Sequence, residues 1–196
     1  MVTLRRYRAG DLDALYDICL RTGDSGQDAT ELHADPQLVG HIYSAPYGVL
    51  EPDNVFVAED DEGVAGYIVG THDTDRFSAQ LEQDWWPALR QRYTDVKGMT
   101  EADQGRIDAI MVPHRSPEDL VVTYPAHIHM NLLPRLRGQR VGTGLLNLWI
   151  EQAKAAKVKG IHLGASTRNA GGIAVWGKTF DELRRDEGAV WFGLAL

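Results

Sequence analysis

Over residues 11–23, DLDALYDICLRTG, the apolar positions Leu12, Leu15, Ile18 and Cys19 recur at helical spacing, and Gly23 follows as a stop. The stretch before it, TLRRYRAGD, reads as a short strand and a turn. DPQLVGHIYSAPY predicts a second helix, brought to an end by Pro46 and Pro52. The period then changes. NVFVAE and VAGYIVGT are β-rich runs joined by DDEG, an acidic turn ending in glycine, and they predict an antiparallel hairpin over residues 54–71.

Helical periodicity returns in SAQLEQDWWPALRQRYTD, with Ser78 as the expected cap, Leu81, Trp85 and Leu89 on one face, and Pro87 as an interruption. TEADQGRIDAIM opens as a capping box, with Thr100 as cap and Asp103 completing it. YPAHIHMNLLP has strand composition and is broken by Pro134. Residues 142–157 then predict an amphipathic helix built on Leu145, Leu146, Trp149, Ile150 and Ala153. GIHLGAS reads as a buried strand, NAGGIAVWGKTF as a weaker helix and AVWFGLAL as a C-terminal strand. The order strand, glycine turn, helix, strand calls for an α/β (α+β) architecture, a sheet with helices packed on it, expected as one domain over residues 1–196. No internal repeat or low-complexity tract interrupts it.

Composition narrows the classes. Of 196 residues, 43% are hydrophobic and 24% charged, as in an ordinary globular protein, which excludes disordered and collagen-like chains. No apolar stretch approaches the roughly 18 residues of a membrane span, and MVTLRRYRAGDLDAL lacks the apolar core of a signal peptide. A cytoplasmic protein with no membrane partner is expected. The net charge of −8 argues against nucleic acid as a partner. The single cysteine, Cys19, permits neither an internal disulfide nor a cysteine metal cluster. Its helical spacing marks a buried small apolar residue rather than a nucleophile.

Against that acidic background PRLRGQRVGTG, residues 134–144, is unusual: Arg135, Arg137 and Arg140 alternate with Gly138, Gly142 and Gly144 directly before a helix. A helix N-terminus carries unpaired N–H groups and partial positive charge, so a turn without side chains leading into it seats an anion such as phosphate or pyrophosphate. A solvated surface turn is the other reading. The turn has neither the Gly-Lys-Ser/Thr ending of a P-loop nor the spacing of a dinucleotide fingerprint.

Gln139, Arg140, Val141, Gly142, Thr143 and Gly144, preceded by a strand ending NLLP and followed by LLNLWI, a further strand and Asn169, resemble the Gln/Arg-x-x-Gly-x-Gly/Ala signature of the GNAT superfamily of acyl-CoA-dependent N-acyltransferases. VFVAEDDEGVAGYIVGTHD, WWPALRQRYT and YPAHIHM are similar to the acetyltransferase-like C-terminal domain of O-GlcNAcase and its free-standing bacterial relatives. The resemblance implies a central mixed, twisted sheet with helices on both faces and a splay between its two central strands. It implies acetyl-CoA as cosubstrate and a small-molecule or peptide amine as acceptor. By position it implies that the backbone of Leu132 and Leu133 pairs like an added strand with the pantetheine arm. The amides from Gln139 to Gly144 would hold the pyrophosphate, Gly138 would open the approach, Arg137 and Arg140 would meet the pyrophosphate or 3′-phosphate, and Asn169 would bond the pantetheine or its neighbourhood.

The family's general acid is a tyrosine, and Trp176 of VWGKTF stands in its place. An indole N–H donates a hydrogen bond but is no acid at useful pH, so Trp176 reads as cofactor wall or core. In AHIHMN, His127 and His129 lie two apart and hence on one strand face, similar to the HxH of arylalkylamine N-acetyltransferases. They are the candidate proton acceptors, or else half-buried histidines hydrogen-bonded within the sheet. Asp73 and Asp75, with a solvated turn as the alternative, and Trp85 and Trp86, with helical core as the alternative, are candidates for the acceptor side, and Asp24 and Asp28 in the loop after the first helix are candidates for holding a cationic amine. The expected function is acetyl transfer to an amine by direct attack on the thioester. The alternative is a pseudo-acetyltransferase that binds acetyl-CoA or a protein partner without turnover.

Overall fold

The computed structural model describes residues 1–196. It is a seven-stranded mixed sheet flanked by helices, in the order β1-β2-β3-β4-β5-β7-β6. β1 (Thr3–Arg6) pairs antiparallel with β2 (Phe56–Asp60), which turns through Gly63, at φ 108°, into β3 (Gly63–Thr71), the hairpin expected from the sequence. Between β1 and β2 lie α1 (Leu12–Leu20), α2 (Leu38–Tyr43) and α3 (Ala45–Leu50). The single helix expected over residues 35–47 is therefore divided at Ser44. Pro46 lies in the first turn of α3, where its missing N–H costs nothing, so it starts a helix rather than ending one.

Antiparallel neighbours are usually joined by a short turn. Here β3 reaches its neighbour β4 (Ala126–Leu132) only after α4 (Thr74–Asp84), α5 (Trp86–Tyr93), α6 (Glu101–Met111) and α7 (Glu118–Thr123). α4 starts earlier than the expected cap Ser78: Asp73 caps it, its carboxylate accepting from Arg76 N at 3.0 Å. The break falls at Trp85, with Pro87 in the first turn of α5. The Thr100–Asp103 capping box forms as read, each residue's side chain bonding the other's N–H at 3.0 Å. α7 escaped detection because its DLVVT core is strand-like in composition. α5 and α6 hold a small core of their own against α2, made by Leu38, Trp86, Leu89, Tyr93, Ile107 and Ile110.

The main core lies in and around the sheet, where α8 (Val141–Ala155) packs Leu145, Leu146, Trp149, Ile150 and Ala153 inward as its periodicity requires. β5 (Gly160–Ser166), α9 (Ala170–Trp176), β6 (Asp181–Arg185) and β7 (Ala189–Ala195) complete the chain. β6, DELRR, is an exposed edge strand paired only with β7, and its run of charge hid it from hydrophobic patterning.

Two consequences of β4 position everything that follows. Its parallel partner β5 pairs with it only at Ala126–Ile161 and His127–His162, after which the strands part. Alternate residues also face opposite sides of the sheet. His127, His129 and Asn131 meet Tyr47, Tyr43 and Thr22 on the α1–α3 side, while Met130 and Leu132 lie against Gly142 of α8.

Candidate functional site

The split between β4 and β5 opens into a cleft of about 1600 Å³ that runs from the glycine turn, past Met130 and Leu132, to His127, His129 and His162.

At one end the chain leaves β4, crosses Gly138 at φ 77° and Arg140 at φ 61°, and enters α8. The N–H groups of Gly138, Gln139 and Arg140 find no acceptor in the protein, no side chain accepts from Val141, Gly142 or Thr143, and no side chain caps the helix, whereas the N–H of Gly144, expected among the pyrophosphate donors, is spent on Arg140 O at 3.0 Å. The three glycines serve different ends. Gly138 supplies the left-handed turn. A Cβ on Gly142 would meet Leu132 Cδ1 at 3.2 Å and Met130 Cε at 3.4 Å, on the cleft. A Cβ on Gly144 would stand 2.6 Å from Leu4 Cδ1, so this glycine lets α8 lie close on β1.

The arginines of the turn also separate. Arg135 is paired with Asp60 at 2.8 Å and is thus removed from the countercharge expected of it. Arg137 bridges Leu132 O (3.3 Å) and Gly26 O (2.7 Å), tying the loop after α1 to the end of β4. Arg140 lines the cleft without an ion pair. Gln139 turns its amide back onto Arg135 O at 2.6 Å, leaving its N–H to the turn.

Along β4 the ladder decides which amides face the split. Leu133 N–H donates to Ala65 O at 2.8 Å and its carbonyl accepts from Leu136 N, so neither is available to an added strand. This corrects the expectation for Leu133. Because an unbulged antiparallel ladder alternates the edge each residue presents, Leu132 and Met130 turn their backbone groups toward the split. Met130 was not legible beforehand, since parity depends on the register with β3. At the far side Asn169 caps α9, accepting from Gly172 N at 2.8 Å, and stands close to Gly26. Trp176 packs edge-on to Phe180 with ring centres 5.6 Å apart, belonging to the core and to the cleft wall together.

The histidines share a face, with ring centres 6.0 Å apart, but have different partners. Thr74 Oγ1 gives its proton to Pro125 O (2.7 Å), so it accepts from His127 Nδ1–H (2.8 Å), and Tyr47 O–H then donates to Nε2 (2.7 Å). Both nitrogens are occupied in the neutral form, and burial holds this imidazole well below its ordinary range. His162 is likewise engaged, with Tyr124 O at 2.6 Å and Ser116 Oγ at 2.8 Å. His129 bonds no protein group. It packs edge-on against Tyr43 and Tyr47 on the cleft, and burial lowers its pKa to about 4, the neighbouring His162 adding to the effect. Tyr47→Phe is expected to lose about 1–3 kcal/mol of unfolding free energy in urea, because Nε2 of His127 would be left buried without a donor. An unchanged stability would mean that Nε2 has another donor.

Of the acceptor-side candidates, Asp73 is spent as a cap and Asp75 lies exposed in the first turn of α4. Asp28 bonds Thr30 away from the cleft, whereas Asp24 lines it. Trp85 bonds His41 O at 2.9 Å, and Trp86 divides itself between the small helical core and the cleft. Arg106 and Tyr43, which the sequence did not single out, also line the cleft.

No family model matches the chain. Protein O-GlcNAcase of Rattus norvegicus is 26% identical over 161 residues, 81% of this chain but 18% of that protein, so the chain spans under a fifth of the curated relatives it matches. Among solved structures SsHAT is 30% identical with a TM-score of 0.84, covering 99% of this chain and 98% of that one. PaiA N-acetyltransferase from Thermoplasma acidophilum, solved in complex with coenzyme A, shares the fold at 12% identity, with a TM-score of 0.60 and coverage of 100% and 99%.

Proposed function

Since the chain belongs to the GNAT acetyltransferases, we propose that it is an acetyl-CoA-dependent N-acetyltransferase whose two substrates meet across the split between β4 and β5. The observation that carries this is the row of N–H groups from Gly138 into the first turn of α8, with no side chain capping them, opening onto that split. Successive amides at a helix N-terminus suit a pyrophosphate, and Gly142 leaves the space that a Cβ would fill. Arg140, Arg168 and Lys178, all lining the cleft, supply countercharge. The backbone edge of Met130 and Leu132 suits an amide-bearing arm laid along it as a strand would lie. Bound there, acetyl-CoA supplies an activated acyl group.

The acceptor arrives from the opposite face of the sheet, beneath α4 to α6. Its nitrogen attacks the thioester carbon, the C–N bond forms, the C–S bond breaks with its electron pair on sulfur, and the nitrogen loses a proton. His129 cannot take that proton from an alkylammonium, since a pKa gap of about 6 units corresponds to about 9 kcal/mol. Reaching the neutral amine through solvent at pH 7 costs only about 4–5 kcal/mol. His129 therefore orients the neutral amine by accepting its N–H, and takes the proton only once the C–N bond has made the nitrogen acidic. His127, with both nitrogens bonded, holds Tyr47 and Thr74 in place.

Two measurements test this. Calorimetry should detect CoA binding, and thiol release from acetyl-CoA across an amine panel should depend on the acceptor. kcat/KM should rise with pH along the acceptor's own ionisation with no break between pH 6 and 7, and His129→Ala should lower kcat about 10-fold, the worth of one hydrogen bond. A break near pH 6.5 would end the assignment of His129. The second reading, a cofactor-binding module without turnover, draws on Trp176 in the place of an acid and on the bonded His127 and His162. Tight CoA binding with no acceptor-dependent release would select it.

A further inference from the structure

The net charge of −8 is not shared by the cleft. Its lining cations are Arg106, Arg115, Arg137, Arg140, Arg168 and Lys178, against two carboxylates, Asp24 and Glu82. Four of those cations belong to the glycine turn and the region around α9, where the phosphates are assigned. Arg106 and Arg115 do not. They come from α6 and the loop after it, in the helical segment inserted between β3 and β4, and no carboxylate pairs with either. The nearby Glu82 is closed off by Arg90, which bonds both of its oxygens at 2.8 and 3.1 Å.

Arg106 is the more telling of the two. A guanidinium is a planar fork of N–H donors. Here Nη1 reaches Tyr43 OH at 3.2 Å, while Nε is buried with no partner. The group lies over the Tyr43 ring at 5.5 Å, and that ring stands 5.8 Å from the ring of His129. A half-buried cation is thus held in place by an aromatic ring, unneutralised, one side chain away from the imidazole assigned to the amine. An uncompensated charge of this kind costs the fold stability and returns none of it through an ion pair. Its geometry suits a planar anion brought by the ligand.

We propose that Arg106 is a specificity-determining residue, and that the acceptor is an amine bearing its own carboxylate, such as an amino acid, bound through that carboxylate by Arg106 with its nitrogen toward His129. The proposal rests on the transferase reading above. Arg115 at the rim favours the approach of the same anionic ligand, and a polybasic peptide would meet the uncompensated Arg106.

The test compares acetylation of phenylalanine with phenethylamine, tryptophan with tryptamine, and a lysine-rich peptide, in the parent and in Arg106→Met and Arg106→Lys. Alongside it, phenylalanine and tryptophan are titrated calorimetrically into the CoA-loaded parent and variants. In the parent kcat/KM for an acid should exceed that of its decarboxylated partner by about 10- to 100-fold, the worth of a charge-assisted bond. That ratio should collapse in Arg106→Met through KM, recover in part in Arg106→Lys, and leave CoA affinity unmoved. Preference for the decarboxylated amines or the lysine peptide, or a ratio unchanged in Arg106→Met, overturns the proposal. If no amine is acetylated, the transferase reading fails by itself and calorimetry decides the subsite. Binding of either acid that Arg106→Met abolishes supports it, and no binding to the parent overturns it.

Discussion

Acidification from pH 7 to about 4.5 is expected to remove about 5 kcal/mol of folding stability, most of it lost before the carboxylates titrate. The cause is a set of imidazoles held neutral in the folded state. Burial lowers His41 and His129 to about 4 and His127 well below its ordinary value. A histidine whose folded pKa lies below its unfolded one leaves stability intact above the unfolded value near 6.5. Stability is lost as the pH falls toward the folded value, because the unfolded chain binds protons that the folded one refuses. At pH 4.5 this amounts to about 2–3 kcal/mol for each of His41 and His129, and His127 acts in the same direction. His41 and His129 together remove about 5 kcal/mol from a stability that for ordinary domains is about 5–15 kcal/mol. Urea denaturation at a series of pH values, followed by tryptophan fluorescence and circular dichroism, should show constant stability above pH 7 and a steep fall below 6. Stability that stays flat to pH 4.5 would mean that these imidazoles accept protons in the folded protein. His129→Asn should remove one of the contributions and flatten the fall.

The second large effect is at Gly142. Gly142→Val is expected to weaken CoA binding by at least about 100-fold, the loss of two or so charge-assisted hydrogen bonds, while shifting the melting temperature little. The added carbons project toward Leu132 Cδ1 and Met130 Cε, the flexible ends of half-buried side chains, which can give way. Valine is also no worse than glycine in a helix. What cannot give way is the approach of a phosphate to the amides of the turn, one of whose residues now carries a branched side chain. Gly144→Ala, two residues on, should behave differently. Its Cβ would meet the tip of Leu4 in the contact between α8 and β1, away from the cleft, so CoA affinity holds. Calorimetric titration with CoA beside thermal unfolding separates the two variants. If Gly142→Val binds CoA as the parent does, the phosphates sit elsewhere.

These two glycines show how far the sequence reaches. Spacing placed both at the start of a helix, in a turn suited to an anion, and that much follows from residues close together in the chain. The division of labour between them follows from Leu4 and Leu132, on two different strands. The HxH pair behaves likewise. Strand alternation put both histidines on one face, but Tyr47, 80 residues away, takes the free nitrogen of His127 and leaves His129 to the cleft. The elements that went unread had patterns that contradict their packing: a strand-like α7, a charged β6, and a proline that begins α3 instead of ending α2.

By itself, then, the sequence determined what is local. The hairpin with its glycine turn, the Thr100 capping box, the amphipathic α8 and the glycine turn before it each depend on hydrogen bonds and periodicities spanning a few residues. The tertiary structure alone decided which of the chemistry-bearing groups remain free. Arg135 is claimed by Asp60 across 75 positions and Arg137 by Gly26 across 111. Leu133 is turned to β3 by register, and Arg106 is left unpaired by a helical insertion whose place over the cleft no periodicity announces. A side chain's freedom is set by what stands within about 3 Å of it, and in a mixed sheet with crossing connections those neighbours come from distant parts of the chain.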